Sequence, residues 1–392
     1  MGVVRWVCSM GFVVDESPRE GFEVAVAAPA SAAKVAGLDG ARAIATLSIF
    51  FFHAGWRTPA LGPLSPVIGH ADIGVEIFFI LSGFLVARPL VAHAMAGGPP
   101  VHLADFWRRR VARIWPAYLL ALLGAVLLGG GTVVGLSGWL KHGFLVDSWF
   151  ANGSGTGLRP SWTLVVEVAF YVLVVPLAAV ALLKRRRTLD GWVGLCLAMV
   201  VVGAFAIVLI SLGPTPAPLR VLPPYLPTFA VGMLLVAAEA DARYTTWLGA
   251  VPRGIQRLAA HPRLCGALAL ATFIMMTVVL RPSRTAPAFG PGPEWMAQSF
   301  GQVLVGFLLL APLALGTARH RWLEHRWLLA LAAASYGFYL WHLQVLRLLR
   351  PVLQSPPLVA AVGIALALGG AFVAGEASRR FIEQPARRFL TR

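Results

Sequence analysis

The stretch Asp190-Gly-Trp-Val-Gly-Leu-Cys-Leu-Ala-Met-Val-Val-Val-Gly-Ala-Phe-Ala-Ile-Val-Leu-Ile-Ser-Leu212 carries one charged residue, at its start, and none after it. Roughly 20 apolar residues, each rising about 1.5 Å along a helix, are what it takes to cross the hydrocarbon core of a bilayer. The basic run Lys184-Arg-Arg-Arg187 precedes it directly, where a cytoplasmic membrane surface retains cations. Outward from this span, nine further segments follow the same rule, at approximately 39–56, 71–91, 111–129, 161–183, 222–239, 264–281, 299–318, 327–347 and 356–376. The 392 residues as a whole are 58% hydrophobic and 13% charged, with a mean hydropathy of +0.75, where an average soluble domain is about 25% charged. A water-soluble globular enzyme, a disordered chain and a disulfide scaffold are thereby excluded. The expectation is an all-α polytopic membrane protein of about ten transmembrane helices, with the lipid bilayer as its first partner.

Orientation follows from the loops. With the N-terminus inside, 24 of the 33 Lys and Arg residues fall on the cytoplasmic side and 8 outside, while Arg42 lies within the first span. This predicts an N-in, C-in, multi-pass protein of the cell membrane. The net charge of +16 sits beside apolar spans, so no nucleic-acid partner is expected. Cys8, Cys196 and Cys265 show no metal or redox spacing, and no metal is expected. Residues 1–36 read as a poorly ordered cytoplasmic extension, residues 37–390 as the transmembrane domain, and the Gly-rich loop at about 130–160 as a flexible lid.

Ionisable side chains inside a bilayer mark functional or water-filled sites. His53 near the end of the first span, Glu76 and Glu167 near the starts of the second and fourth, and His342 near the end of the ninth all fall within roughly 10 Å of the outer boundary. They suggest one polar cavity opening outward. His342 is equally readable as a helix-packing partner, and Glu76 as a residue reaching for the interface. Arg42 precedes His53 by eleven residues, about 16 Å of helix, near the cytoplasmic boundary. Arg110 and Arg113 open the third span. Such a cluster suits a phosphorylated cytoplasmic cosubstrate, because guanidinium groups pair with phosphate oxygens; ordinary positive-inside decoration is the alternative.

Six segments, in order, carry a family likeness. Arg42-Ala-Ile-Ala-Thr-Leu-Ser-Ile-Phe-Phe-Phe-His53 resembles the Arg-x10-His signature of the acyltransferase-3 family of integral membrane O-acyltransferases. Gly74-Val-Glu-Ile-Phe-Phe-Ile-Leu-Ser-Gly-Phe84 is similar to that family's second-span motif, Arg110-Val-Ala-Arg-Ile-Trp-Pro-Ala-Tyr118 to its RxxRIxPxY stretch, and Ser161-Trp-Thr-Leu-Val-Val-Glu167 to its Ser-x5-Glu element. Ser335-Tyr-Gly-Phe-Tyr-Leu-Trp-His342 and Ile382-Glu-Gln-Pro385 resemble its late signatures. Trp115, where Tyr or Phe is more usual, and Glu76, where Asp is common, are mild departures. No hydrolase-like sequence follows the tenth span, so the chain resembles the family's stand-alone form.

The resemblance implies transfer of an acyl group from cytoplasmic acyl-CoA, with acetyl-CoA the expected cosubstrate and no permanently bound cofactor. The acceptor it implies is a hydroxyl on a glycan or glycosylated small molecule: cell-surface polysaccharide, lipid-linked sugar or macrolide-like metabolite. On that reading His53 is the general base and Glu167 accepts its other ring N–H. Arg42, Arg110 and Arg113 hold the CoA phosphates. Ser82, Tyr118 and Tyr171 are candidates to stabilise the oxyanion, with Glu76, Ser161 and His342 as further substrate-site candidates. A multi-span transporter is the competing reading, but the two halves show no paired pattern of broken helices.

Overall fold

In a computed structural model of the protein, the described residues are 37–96, 103–150, 156–183, 189–240, 247–280 and 292–390. The extension 1–36 and the basic run 184–187 lie outside them. Every regular element among the described residues is helical, as hydrocarbon demands of a chain that must satisfy its own backbone hydrogen bonds. The long helices are α1 (Leu38–Gly55), α2 (Ile73–Met95), α3 (Leu103–Leu127), α4 (Trp162–Leu183), α5 (Asp190–Leu212), α6 (Leu226–Glu239), α7 (Pro262–Val279), α8 (Pro293–Ala314), α9 (Arg326–Leu348) and α10 (Pro357–Ser378).

Among the described residues nine helices, α2 to α10, are long and apolar enough to cross a membrane; α6 reaches that length with the short turns from Ala217 that lead into it. The remaining expected span, α1, forms its helix over 18 residues, but Asp39, Arg42 and His53 dilute its apolar character. The α3 helix begins at Leu103, well before the expected boundary at 111. Its polar first turns, Asp105 to Arg110, extend the helix beyond the apolar run without needing hydrocarbon around them.

Packing sets the site. The α2–α6 pair is drawn together by Gly83 and Gly232: a Cβ on Gly83 would stand 2.3 Å from the Phe229 carbonyl oxygen, and one on Gly232 2.1 Å from that of Ile80. Such close approach through small residues is how helices associate where no hydrophobic effect drives them. Phe170 of α4 stacks on Phe229 at 4.0 Å, locking α4 to the same pair. The α9 helix packs along α1 on one side and α10 on the other. Arg88 clamps Glu239 with contacts of 2.6–3.1 Å, tying together the α2 and α6 ends that share the bundle end of Arg42.

The expected lid is more ordered than its glycines suggest. Its described part contains the helix Gly135–Gly143 and a turn at Asp147–Trp149, and His142 and Asp147 are both buried. Tyr118 donates its hydroxyl to the His142 carbonyl at 2.7 Å, and Trp115 donates its indole N–H to that of Gly143 at 2.9 Å. Gly157, at φ +61°, lies against the His142 ring so closely that a Cβ there would come within 2.7 Å. Residues 151–155 of this loop lie outside the described residues.

Candidate active site

Near the end of α1 the His53 ring meets His342 of α9, with His53 Nδ1 3.0 Å from His342 Nε2. The protons on this pair can be assigned from the surrounding acceptors. His342 Nδ1 lies 2.6 Å from the Tyr339 carbonyl oxygen, which can only accept, so Nδ1 carries the hydrogen and Nε2 of the neutral ring is an acceptor. His53 Nδ1 faces that acceptor and also the Ile49 carbonyl oxygen at 3.1 Å, so it too carries a hydrogen. Nε2 of His53 is then an unprotonated lone pair. The arrangement can take one proton at a defined atom, and the resulting imidazolium would still donate to His342.

One helical turn below lies a cavity of about 90 Å³, enough to hold several waters. Ile49 and Tyr339, whose carbonyls hold the two histidines, line it; so do Arg42, Arg110, Arg113, Ser82, Glu167 and Tyr336. Arg42 pairs with Asp39 at 2.9 Å. The Arg110 guanidinium lies over the Tyr171 ring at 4.9 Å from its centre and over Phe106 at 5.3 Å, a cation–π arrangement that fixes its direction. Arg113 makes no hydrogen bond to another side chain among the described residues. Glu167 accepts from Ser82 at 3.0 Å and from the Tyr171 hydroxyl, and Arg110 Nη1 stands 3.4 Å from that hydroxyl.

The polar residues expected at one depth therefore separate into three groups. His53 joins His342. Glu167 turns instead toward Ser82, Tyr171 and the arginines, and the expected partnership with the His53 ring N–H is filled by His342. Glu76 is buried and accepts from Thr228 of α6 at 3.0 Å, away from the cavity lining. Of the oxyanion candidates only Ser82 lines the cavity. Tyr171 has donated its hydroxyl to Glu167, and Tyr118 together with buried Ser161 supports the loop above. Sequence reasoning missed Thr163, Ser335, Tyr336 and Tyr339 as lining residues. The Ser335-Tyr336-x-x-Tyr339-x-x-His342 spacing could have found three of them, since positions three and four apart share a helix face.

The family model described as an acyltransferase domain matches residues 35–376. The chain belongs to the acyltransferase-3 family. Over 371 residues it is 24% identical to the peptidoglycan O-acetyltransferase OatA of Listeria monocytogenes, covering 90% of this chain and 56% of that protein. With the putative peptidoglycan O-acetyltransferase YrhL of Bacillus subtilis the identity is 27%, covering 90% and 55%. With the putative O-acetyltransferase SACOL0978 of Staphylococcus aureus it is 24%, covering 90% and 57%. The chain thus spans little more than half the length of these relatives. No solved structure matches it. Five of the six acyltransferase-3 segments quoted above contribute side chains to the cavity: Arg42, Ser82, Arg110 with Arg113, Glu167, and Ser335 with Tyr336. The sixth forms a π-turn, Arg379–Glu383, and buries Glu383 beside Ser378.

Proposed function

We propose that this membrane protein moves an acyl group, acetyl by analogy with its relatives, from acyl-CoA at the Arg42 end of the bundle to a hydroxyl of a glycan or glycosylated small molecule at the His53 end. The Lys/Arg bias of the loops supports a cytoplasmic Arg42 end and ten spans with both termini inside. The single observation that carries the reading is a juxtaposition: the His53–His342 pair sits one helical turn from a cavity lined by three arginines.

His53 Nε2 takes the proton of the acceptor hydroxyl as its oxygen attacks the thioester carbonyl. The carbon–sulfur bond then breaks, and the departing thiolate recovers the proton from the imidazolium. His342 holds His53 in the required tautomer and stabilises the charged ring. Arg42, Arg110 and Arg113 grip the CoA phosphates, and Ser82, once released from Glu167, is a cavity-lining hydroxyl that serves the oxyanion.

The test is His53→Ala in membranes supplied with labelled acetyl-CoA and a glycan acceptor. A positioned general base contributes about 10²–10⁴-fold; the variant is expected to lose that much transfer, and near-normal transfer would refute the assignment.

A further inference from the structure

The positive-inside bias leaves few cations at the His53 end, yet three arginines lie on the chain segments that meet at the histidine pair. Arg57 stands four residues beyond His53, about 6 Å further along the helix direction, and donates from one Nη to the His53 carbonyl at 3.1 Å. Arg350 opens the short helix that follows α9, eight residues beyond His342. Arg159 precedes Pro160, whose carbonyl accepts from Tyr339 at 3.0 Å, and the Tyr339 carbonyl in turn holds His342. Burial and the like charges of Arg159 and Arg350 push Arg57 below the ordinary arginine value, so the three cations are within electrostatic reach of one another.

None of the three forms an ion pair with a carboxylate among the described residues. Of the acidic side chains at this end, Asp72 accepts from Gln298 and Gln302, Asp147 lies beside His142 and Ser148, and exposed Glu294, in the first turn of α8, forms no ion pair with the three arginines. Arg57 is half-buried and Arg159 and Arg350 are exposed, so the three present a positive rim at the mouth of the site that concentrates anions from outside. Trp56, 52% exposed, sits edge-on to His53 at 5.7 Å and offers an aromatic face beside the cations.

We propose that the acyl acceptor is anionic, and that Arg57, Arg159 and Arg350 form a rim that holds a carboxylate or phosphate of the acceptor while a neighbouring hydroxyl reaches His53. This deepens the acyl-transfer reading and rests on it for the word acceptor. The same chemistry has two sources, an acidic sugar or the diphosphate of a lipid-linked sugar.

The experiment measures binding by the full chain in phosphatidylcholine nanodiscs without acyl donor. The probes are a fluorescent glucuronate-containing tetrasaccharide, its carboxyl-reduced neutral analogue, and a prenyl-diphosphate-linked disaccharide compared with the free disaccharide. At least one anionic probe is expected to bind about tenfold or more tighter than its neutral counterpart, with affinity falling as salt rises. Which probe does so identifies the source. The triple variant Arg57→Gln, Arg159→Gln, Arg350→Gln should erase that preference. The double variant Arg159→Gln, Arg350→Gln, confined to two exposed side chains, should reduce it, which guards against misfolding as the cause. Equal binding of anionic and neutral probes, binding of neither anionic probe, or an undiminished preference in the triple variant would overturn the proposal. Because no donor is present, the preference stands or falls separately from acyl transfer.

Discussion

At the His53 end two neutral rings meet at 3.0 Å and are oriented by main-chain carbonyls; at the Arg42 end three guanidinium groups share a cavity with a single carboxylate, itself occupied by Ser82 and Tyr171. The histidine pair is preorganised by hydrogen bonds rather than by ion pairs, so its capacity is for one proton at one atom. The lining of the second region holds three guanidinium groups to one carboxylate, and Arg113 makes no side-chain hydrogen bond among the described residues, so its capacity is for an anion. Burial rewards these two designs differently. A hydrogen-bonded ring pair tolerates burial because three of its four ring nitrogens have a partner, whereas the arginine cluster gains most when phosphate arrives.

Breaking the first region should have the larger effect. His342→Leu removes the acceptor that fixes the His53 tautomer, and kcat is expected to fall about 10²-fold with the KM for acetyl-CoA unchanged. His342→Asn, which keeps an amide oxygen as acceptor, should recover part of that loss in the same steady-state assay. Full activity in the Leu variant would show that His342 only packs.

In the second region, Arg42→Gln should raise the KM for acetyl-CoA about tenfold, the effect of losing one charge-assisted contact, and leave kcat within a few-fold. An acetyl-pantetheine donor, which lacks the nucleotide phosphates, should not distinguish the variant from the parent. A KM penalty equal for both donors would place Arg42 outside the phosphate site.

Tyr171→Phe sharpens the comparison further. The ring under Arg110 is retained, but Glu167 loses one of its two donors, and stability should drop by about 1–2 kcal/mol, read as a lower Tm, while transfer changes little. A large loss of transfer without a change in Tm would give Tyr171 a direct part in the chemistry.

The smallest effect is expected in the loop above the site. Burial lifts the Asp147 carboxyl above its ordinary range against the opposing pull of His142. The folded loop therefore binds that proton more tightly than the unfolded chain, and its stability falls as pH rises through the interval just above the ordinary carboxylate value. Hydrogen exchange over residues 135–150 at pH 4 and 7 should show this trend in the parent and a flatter one in Asp147→Asn.

Much of this architecture was legible in the chain because bilayer spans are written in composition: 190–212 matches its helix residue for residue. Arg42, Arg110, Arg113, Glu167 and Ser82 were legible as site residues, and they do share a cavity. Which polar side chain meets which was not legible. Depth along a helix can be counted, but the rotation of α4 that turns Glu167 from His53 toward Ser82 of α2 is set by contacts such as Phe170 on Phe229, which no spacing encodes. The α9 helix shows the same limit, since Tyr339 and His342 lie on a shared face that could be foreseen, while its docking against α1 rather than another helix could not.

The sharpest test compares His53→Gln with Arg113→Gln in one preparation, measuring transfer as acetyl-CoA is raised to saturation. If the His53 region does the proton chemistry and the arginines hold the donor, saturation should return the Arg113 variant to within about threefold of the parent and leave the His53 variant down by about 10²-fold or more. Recovery of the His53 variant at high donor, or an Arg113 variant that saturation cannot rescue, would contradict that division of labour.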